Sequence, residues 1–269
     1  MRGPPWPRGR LPASATVVAA HPDDEVIGAG ALLARLPQSL VVHVTDGAPR
    51  NGVDARAAGF AGWAEYAAAR HREAAAALAL AGLPAERLRC FDIPDQEATL
   101  NLVKLARRIA GLLREAGSPA VITHAYEGGH PDHDATAFAV HAAQHLLAQA
   151  GGDPPLLIEM AGYHGFGGAF VVGSFIAHAG SGRIATMTLG AAAQARKGRM
   201  LDCHVSQRAV LAPFSVAAEH FRLAPRYDFS LPPHPGALHY ERQEWGMSGE
   251  RWRTLAREAV LELGLKNPV

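Results

Sequence analysis

Two short clusters hold the residues best suited to chemistry. His21-Pro22-Asp23-Asp24-Glu25 stands directly behind an apolar run, Thr16 to Ala20. More than a hundred residues on, His130-Pro131-Asp132-His133-Asp134 follows a second apolar run, Ala120 to Thr123. Charge at the end of a buried strand is costly unless a cation or a reaction uses it. Two such clusters read as halves of one metal site.

A catalytic zinc takes imidazole nitrogen and carboxylate oxygen from three protein ligands and keeps a place for water. His21, Asp24 and His133 make up such a set, since a tight turn points residues 21 and 24 the same way. Such an ion lowers the pKa of water and polarises a carbonyl. The reaction also needs a base, and Asp23 stands next to a ligand without being one. His130 is placed to donate to a developing oxyanion. Asp132 is expected to hold the His130 imidazole in one tautomer. Either cluster alone reads equally well as a proline turn with a capping aspartate. Their pairing makes coincidence a poor explanation.

The elements that must position them alternate. Strands are expected at Thr16–Ala20, Leu40–Thr45, Leu88–Asp92, Ala120–Thr123 and Leu156–Met160, with helices over 25–35, 63–80, 98–115 and 134–149. This alternation predicts an α/β fold: a Rossmann-like, mostly parallel sheet with helices on both faces. Ligands then bind at the carboxyl ends of the strands, where both clusters fall. Gly28 and Gly30 suggest close helix–strand approach but no phosphate loop. Beyond Gly162 the pattern loosens into an irregular, β-containing C-terminal extension. There residues 190–203 and 249–263 read as helices, and the proline- and aromatic-rich stretch from Phe221 to Tyr240 is expected to wrap the surface. The chain reads as a single domain over 1–269, with a core of about 14–210 and an extension of about 211–269.

Composition excludes several classes. With 48% hydrophobic and 19% charged residues the chain is an ordinary globular one, and a net charge of +1 gives no footprint for nucleic acid. No apolar run is long enough to span a membrane. Met1 to Arg10 is basic but lacks an apolar stretch behind it, so no secretory signal is expected and a cytoplasmic location is the default. Cys90 and Cys203 are far apart, in no metal-spaced motif, and read as small apolar residues in a reducing compartment.

His21-Pro22-Asp23-Asp24-Glu25 together with His130-Pro131-Asp132-His133 resembles the PIG-L/LmbE-like zinc-dependent N-acetylglucosamine deacetylases. The likeness extends through most of the first 210 residues, with Thr45-Asp46-Gly47, Arg70 and Glu73, Ile93-Pro94-Asp95 and His204-Val205-Ser206-Gln207 as weaker matches. The resemblance implies His21, Asp24 and His133 on zinc, Asp23 as general base and His130 at the oxyanion. Arg70 and Asp95 resemble positions near the sugar. Some members carry a tyrosine two residues before the first histidine of the second motif; Gly128 stands there here, and Tyr126 is the nearest tyrosine available to touch substrate. Tyr163, His164, His239 and Trp245 are further candidates to line a sugar platform.

The expectation is therefore a metal-dependent N-deacetylase, a hydrolase of amide C–N bonds, using Zn2+ with Fe2+ as the alternative. Its substrate would be a small N-acetylated sugar or glycoconjugate; a homo-oligomer stays open. The other readings are a non-hydrolytic sugar- or nucleotide-binding module and a metal-dependent esterase. The binding module predicts ligand affinity insensitive to chelation.

Overall fold

The computed structural model describes residues 12–178, 180–243, 245–266 and 269. The basic stretch from Met1 to Arg10 lies outside them. In chain order the first half gives β1 (Thr16–Ala19), α1 (Asp24–Leu33), β2 (Leu40–Thr45), α2 (Val53–Ala57), α3 (Trp63–Leu80), β3 (Leu88–Ile93), α4 (Leu102–Ala116), β4 (Ala120–His124), α5 (Pro131–Gln149) and β5 (Leu156–Met160). The remainder gives β6 (Tyr163–Phe166), β7 (Ala169–Val172), β8 (Ala185–Thr188), α6 (Ala191–Asp202), α7 (Arg208–Leu211), β9 (Ala218–Leu223) and α8 (Gly249–Glu262).

Among the described residues seven strands form one sheet in the order β3-β2-β1-β4-β5-β9-β8. The first five are parallel, whereas β9 and β8 close the edge antiparallel. β6 and β7 make a separate hairpin. The fold is thus mixed α/β with a mostly parallel sheet. Alternation along each strand feeds two cores: Val18, Val42 and Val44 face a layer with α4, α5 and α8, while Val17, Ala19 and Val41 face the opposite layer with α1 and α6. α4 shows why its residues form a surface helix. Leu102, Leu105, Ala106, Ile109, Leu112 and Leu113 recur at helical spacing and are its buried stripe. α5 has no such polar face, because it is enclosed from Pro131 to Ala143. Gly28 meets β5 as closely as its sequence context suggested, with room for no Cβ: one would lie 2.6 Å from Met160 Sδ.

The strand order reverses between β1 and β4, so the loops after these two strands diverge and leave a crevice. Both His/Asp clusters sit there.

The stretch from Phe221 to Tyr240 departs from the expectation that it wraps the surface. Phe221 lies within β9, and Tyr227, Phe229, Leu238 and Tyr240 are all 2% exposed or less. The reason is that its polar tips find partners inside: Tyr227 bonds to Glu159 and Arg222 through its hydroxyl and to Val269 through its backbone. α8 continues this bracing, since Trp252 Nε1 donates to Pro131 O at 3.1 Å, at the start of α5.

Candidate active site

The first cluster leaves β1 in a tight turn. Asp23 N and Asp24 N both donate to His21 O, and Asp23 then acts as the residue before α1, with a backbone φ of 152° that L-residues rarely adopt. In the second cluster His130 precedes α5 and Pro131 opens it, where its missing N–H and fixed φ suit a first helical turn. The helix therefore starts at Pro131, not at Asp134, and His133 emerges one turn in.

His21, Asp24 and His133 come together, their nearest ligand atoms all within 4.8 Å of one another. Asp24 stands between the two imidazoles, with Oδ2 3.2 Å from His21 Nδ1 and Oδ1 3.2 Å from His133 Nε2. His133 Nε2 is buried and has no hydrogen-bond partner despite that proximity. Ligands about 2.0–2.1 Å from a tetrahedral ion are separated by roughly 3.3 Å, which is the spacing seen here. The donor set fits a divalent metal. Electrostatics agree: burial pushes His133 down to about 4, leaving the neutral imidazole a metal requires. Burial pushes the Asp24 carboxyl up, but the neighbouring His133 and His124 outweigh it and hold the group well below the ordinary range.

Around this set lies a second layer. His21 Nε2 is 3.1 Å from Asp95 Oδ1 and 3.4 Å from Asp132 Oδ2, as expected of carboxylates that orient a ligand imidazole. The His21 interaction outweighs burial and keeps Asp95 low. Asp95 therefore holds the His21 imidazole as well as lining the cavity. His124, at the end of β4, accepts from Ala20 N at 2.9 Å and stacks on His133 with ring centroids 4.0 Å apart. Its place immediately after the predicted strand was the only sequence signal for it.

Asp23 turns toward the cavity. Burial pushes its carboxyl up to about 7, with Arg70 opposing and Asp24 assisting. Arg70, from α3, donates to Asp23 Oδ2 at 2.8 Å, Pro22 O at 3.2 Å and Gly47 O at 2.6 Å. Gly47 has φ 70°, and a Cβ there would lie 2.5 Å from the guanidinium, so the Thr45-Asp46-Gly47 turn is what admits Arg70. Arg70 lines the cavity, but most of its donors are engaged by the protein. It holds Asp23 as well as standing at the cavity where contact with substrate was expected.

Two expectations are corrected. The Asp132 carboxylate does not bond His130: its Oδ2 is 4.0 Å from His130 Nδ1. It accepts instead from Gln96 N at 2.6 Å and Ala98 N at 3.0 Å, because Pro131 turns the residue back onto that loop. The backbone does the orienting. Asp132 N donates to His130 Nδ1 at 3.1 Å, which leaves the proton on Nε2. Tyr126 does not line the cavity. It is 3% exposed, stacks on Trp252 and donates to Leu231 O at 2.9 Å inside the core.

The cavity beside these groups has a volume of about 400 Å³. His21, Asp23, Asp24, Arg70, Asp95 and His130 form its floor, and Tyr66, Tyr163, Phe214 and Trp245 contribute its walls. Trp245 packs on His130 at 4.3 Å and Tyr163 meets His133 edge-on at 4.9 Å. His164 is buried against Glu127, and His239 stands behind Tyr163; neither lines this cavity. The arrangement can hold a cation, a carboxylate base and a neutral imidazole donor around one small polar group.

Known proteins share this architecture. The family model described as PIG-L, GlcNAc-PI de-N-acetylase, matches residues 16–144. A deacetylase of the teicoplanin biosynthesis pathway is 22% identical, with 78% of this chain and 96% of that one covered and a TM-score of 0.61. The A40926 pseudoaglycone deacetylase is 20% identical over 78% and 96%, with a TM-score of 0.59. The N,N'-diacetylchitobiose deacetylase of Pyrococcus horikoshii is 17% identical over 83% and 88%, with a TM-score of 0.55. At these identities the structural likeness is one of fold. No curated protein matches the sequence. The match to the PIG-L family model, over residues 16–144, takes in His21, Asp23, Asp24, His130 and His133.

Proposed function

We propose that this protein is a metal-dependent N-deacetylase acting on an N-acetylated sugar or a related amide. The observation that carries the reading is the buried His21–Asp24–His133 trio, with Asp23 and His130 facing the same cavity. A divalent ion held by the trio, zinc or iron(II), would supply Lewis acidity and make water acidic enough to react at neutral pH. Asp23, with its affinity for protons raised by burial, takes a proton from the attacking water. As the water oxygen bonds to the carbonyl carbon, charge moves onto the carbonyl oxygen. The Nε2–H of His130 donates there, and Trp245 against its ring keeps the imidazole in place. Collapse breaks the C–N bond, and the proton held by Asp23 leaves with the nitrogen, giving acetate and a free amine. Arg70 holds Asp23 throughout. The family match, the deacetylase activities of the structural neighbours and an aromatic-walled cavity support an amino sugar as substrate. In this reading the core and the extension work as one catalytic unit, since the extension supplies Trp245.

The test measures bound metal and amine release together, using N-acetylglucosamine and N,N'-diacetylchitobiose. Asp23→Asn should keep one metal per chain and lose activity by about 10²–10⁴-fold, whereas His133→Ala should lose the metal. Full activity in Asp23→Asn would remove the base from the mechanism. Activity unaffected by chelation would remove the metal.

A further inference from the structure

Glu25 completes the first motif, yet it lines no part of the cavity. It is fully buried, as is its partner His43 on β2. Glu25 Oε2 accepts from His43 Nε2 at 2.9 Å and from Asp23 N at 3.2 Å. The Asp23 N–H is therefore shared between Glu25 and His21 O, which is 3.0 Å away. This pair is not arranged for stability. Glu25 Oε1 and His43 Nδ1 are buried without hydrogen-bond partners, and apolar side chains of similar size would fill the space at lower cost. The expense is concentrated beside one residue, Asp23, whose φ of 152° is itself unfavourable. Departures from local rules that cluster this way point to a functional constraint.

We infer that Glu25, anchored by His43, is a positioning residue for Asp23: it holds the backbone of the base in its rare conformation so that the carboxylate reaches the reacting water. Arg70 grips the same residue from the other end, at the carboxylate oxygen. The base is thus fixed at two points, one through its side chain and one through its N–H. This rests on the reading of Asp23 as the base. Glu25 acts through that residue: its carboxylate bonds to Asp23 N and His43 Nε2, and it does not line the cavity.

The experiment is a double-mutant cycle on the metal-loaded enzyme, reading kcat, KM and metal content with N,N'-diacetylchitobiose. Glu25→Ala should lower kcat about 10–100-fold, with KM and metal content unchanged. Glu25→Gln keeps an acceptor for Asp23 N and should recover to within about fivefold of the parent. The same Glu25→Ala change made in Asp23→Asn should alter the residual rate by less than about twofold, because there is no base left to position. Glu25→Met fills the space without an acceptor and carries the same cycle if Glu25→Ala does not fold. A Glu25→Ala kcat within about twofold of the parent overturns the inference. So does a loss that is equally large with and without Asp23, which marks a general structural effect. Full activity in Asp23→Asn, by contrast, fails the base assignment itself and is recognised before the cycle is read.

Discussion

The approach of Gly129 to β6 offers a perturbation whose size follows from the packing. Gly129 directly precedes His130. A Cβ on it would lie 2.1 Å from the Tyr163 carbonyl oxygen and 3.1 Å from the carbonyl carbon. Ordinary contact begins at 3.4 Å, so Gly129→Ala demands a separation larger by 3.4 − 2.1 = 1.3 Å. The obstacle is backbone, and no rotamer change relieves it. Either β6 moves outward, carrying Tyr163 off His133, or the loop moves and carries His130 away from the cavity. Overpacking of this kind costs about 1–3 kcal/mol of stability. A displacement of about 1 Å in a catalytic group reduces rate about 10²-fold. Gly128→Ala is the matched control. Its Cβ would meet the end of the Leu238 side chain at 2.7 Å, which can yield, and its φ of 69° adds backbone strain without moving β6. Urea unfolding and kcat for amine release, measured on both variants, separate the two. Gly129→Ala with wild-type kcat and an unchanged unfolding midpoint would refute the claim that this contact sets the position of His130.

Asp132→Ala should leave Gln96 N and Ala98 N without their acceptor and cost about 3 kcal/mol in urea unfolding; a loss below about 1 kcal/mol would show that the loop does not depend on it. Gly111→Ala lies inside α4 with nothing within 4 Å of the new Cβ and should stabilise the protein by about 0.5–1 kcal/mol, read as a higher unfolding midpoint. Burial, with His145 adding, pushes His141 down to about 3 from an ordinary 6.5. The unfolded chain therefore binds the extra proton first, so stability is complete above about pH 6.5 and falls as pH drops toward 3, by about 2 kcal/mol at pH 5. His141→Gln should remove that part of the difference between unfolding midpoints at pH 7 and pH 5; an unchanged difference would contradict the neutral, buried state.

The parallel strands and the helices between them were legible because they are local. Val17 and Val41 on one face with Val18 and Val42 on the other, and the stripe along α4, each declare an element from its own period. The clusters beginning at His21 and His130 were legible for a related reason: either alone has a bland reading as a capped proline turn, but two at strand ends do not repeat by chance, and topology brings the ends of β1 and β4 side by side. The family resemblance added roles that the geometry can accommodate for His21, Asp23, Asp24 and His133. What the sequence could not index was contact between distant residues. Trp245 packs on His130 across 115 positions of chain, and the Tyr227 hydroxyl is buried because Glu159 and Arg222 meet it there. Asp132 faces Gln96, not His130, because of one proline turn, and Arg70 is committed to Asp23 because Gly47 leaves it room. Residue type and spacing determined which atoms were present at the strand ends and what reaction they suit. Side-chain direction and long-range packing decided which atom meets which, because these depend on a density of contacts that no single stretch of sequence contains.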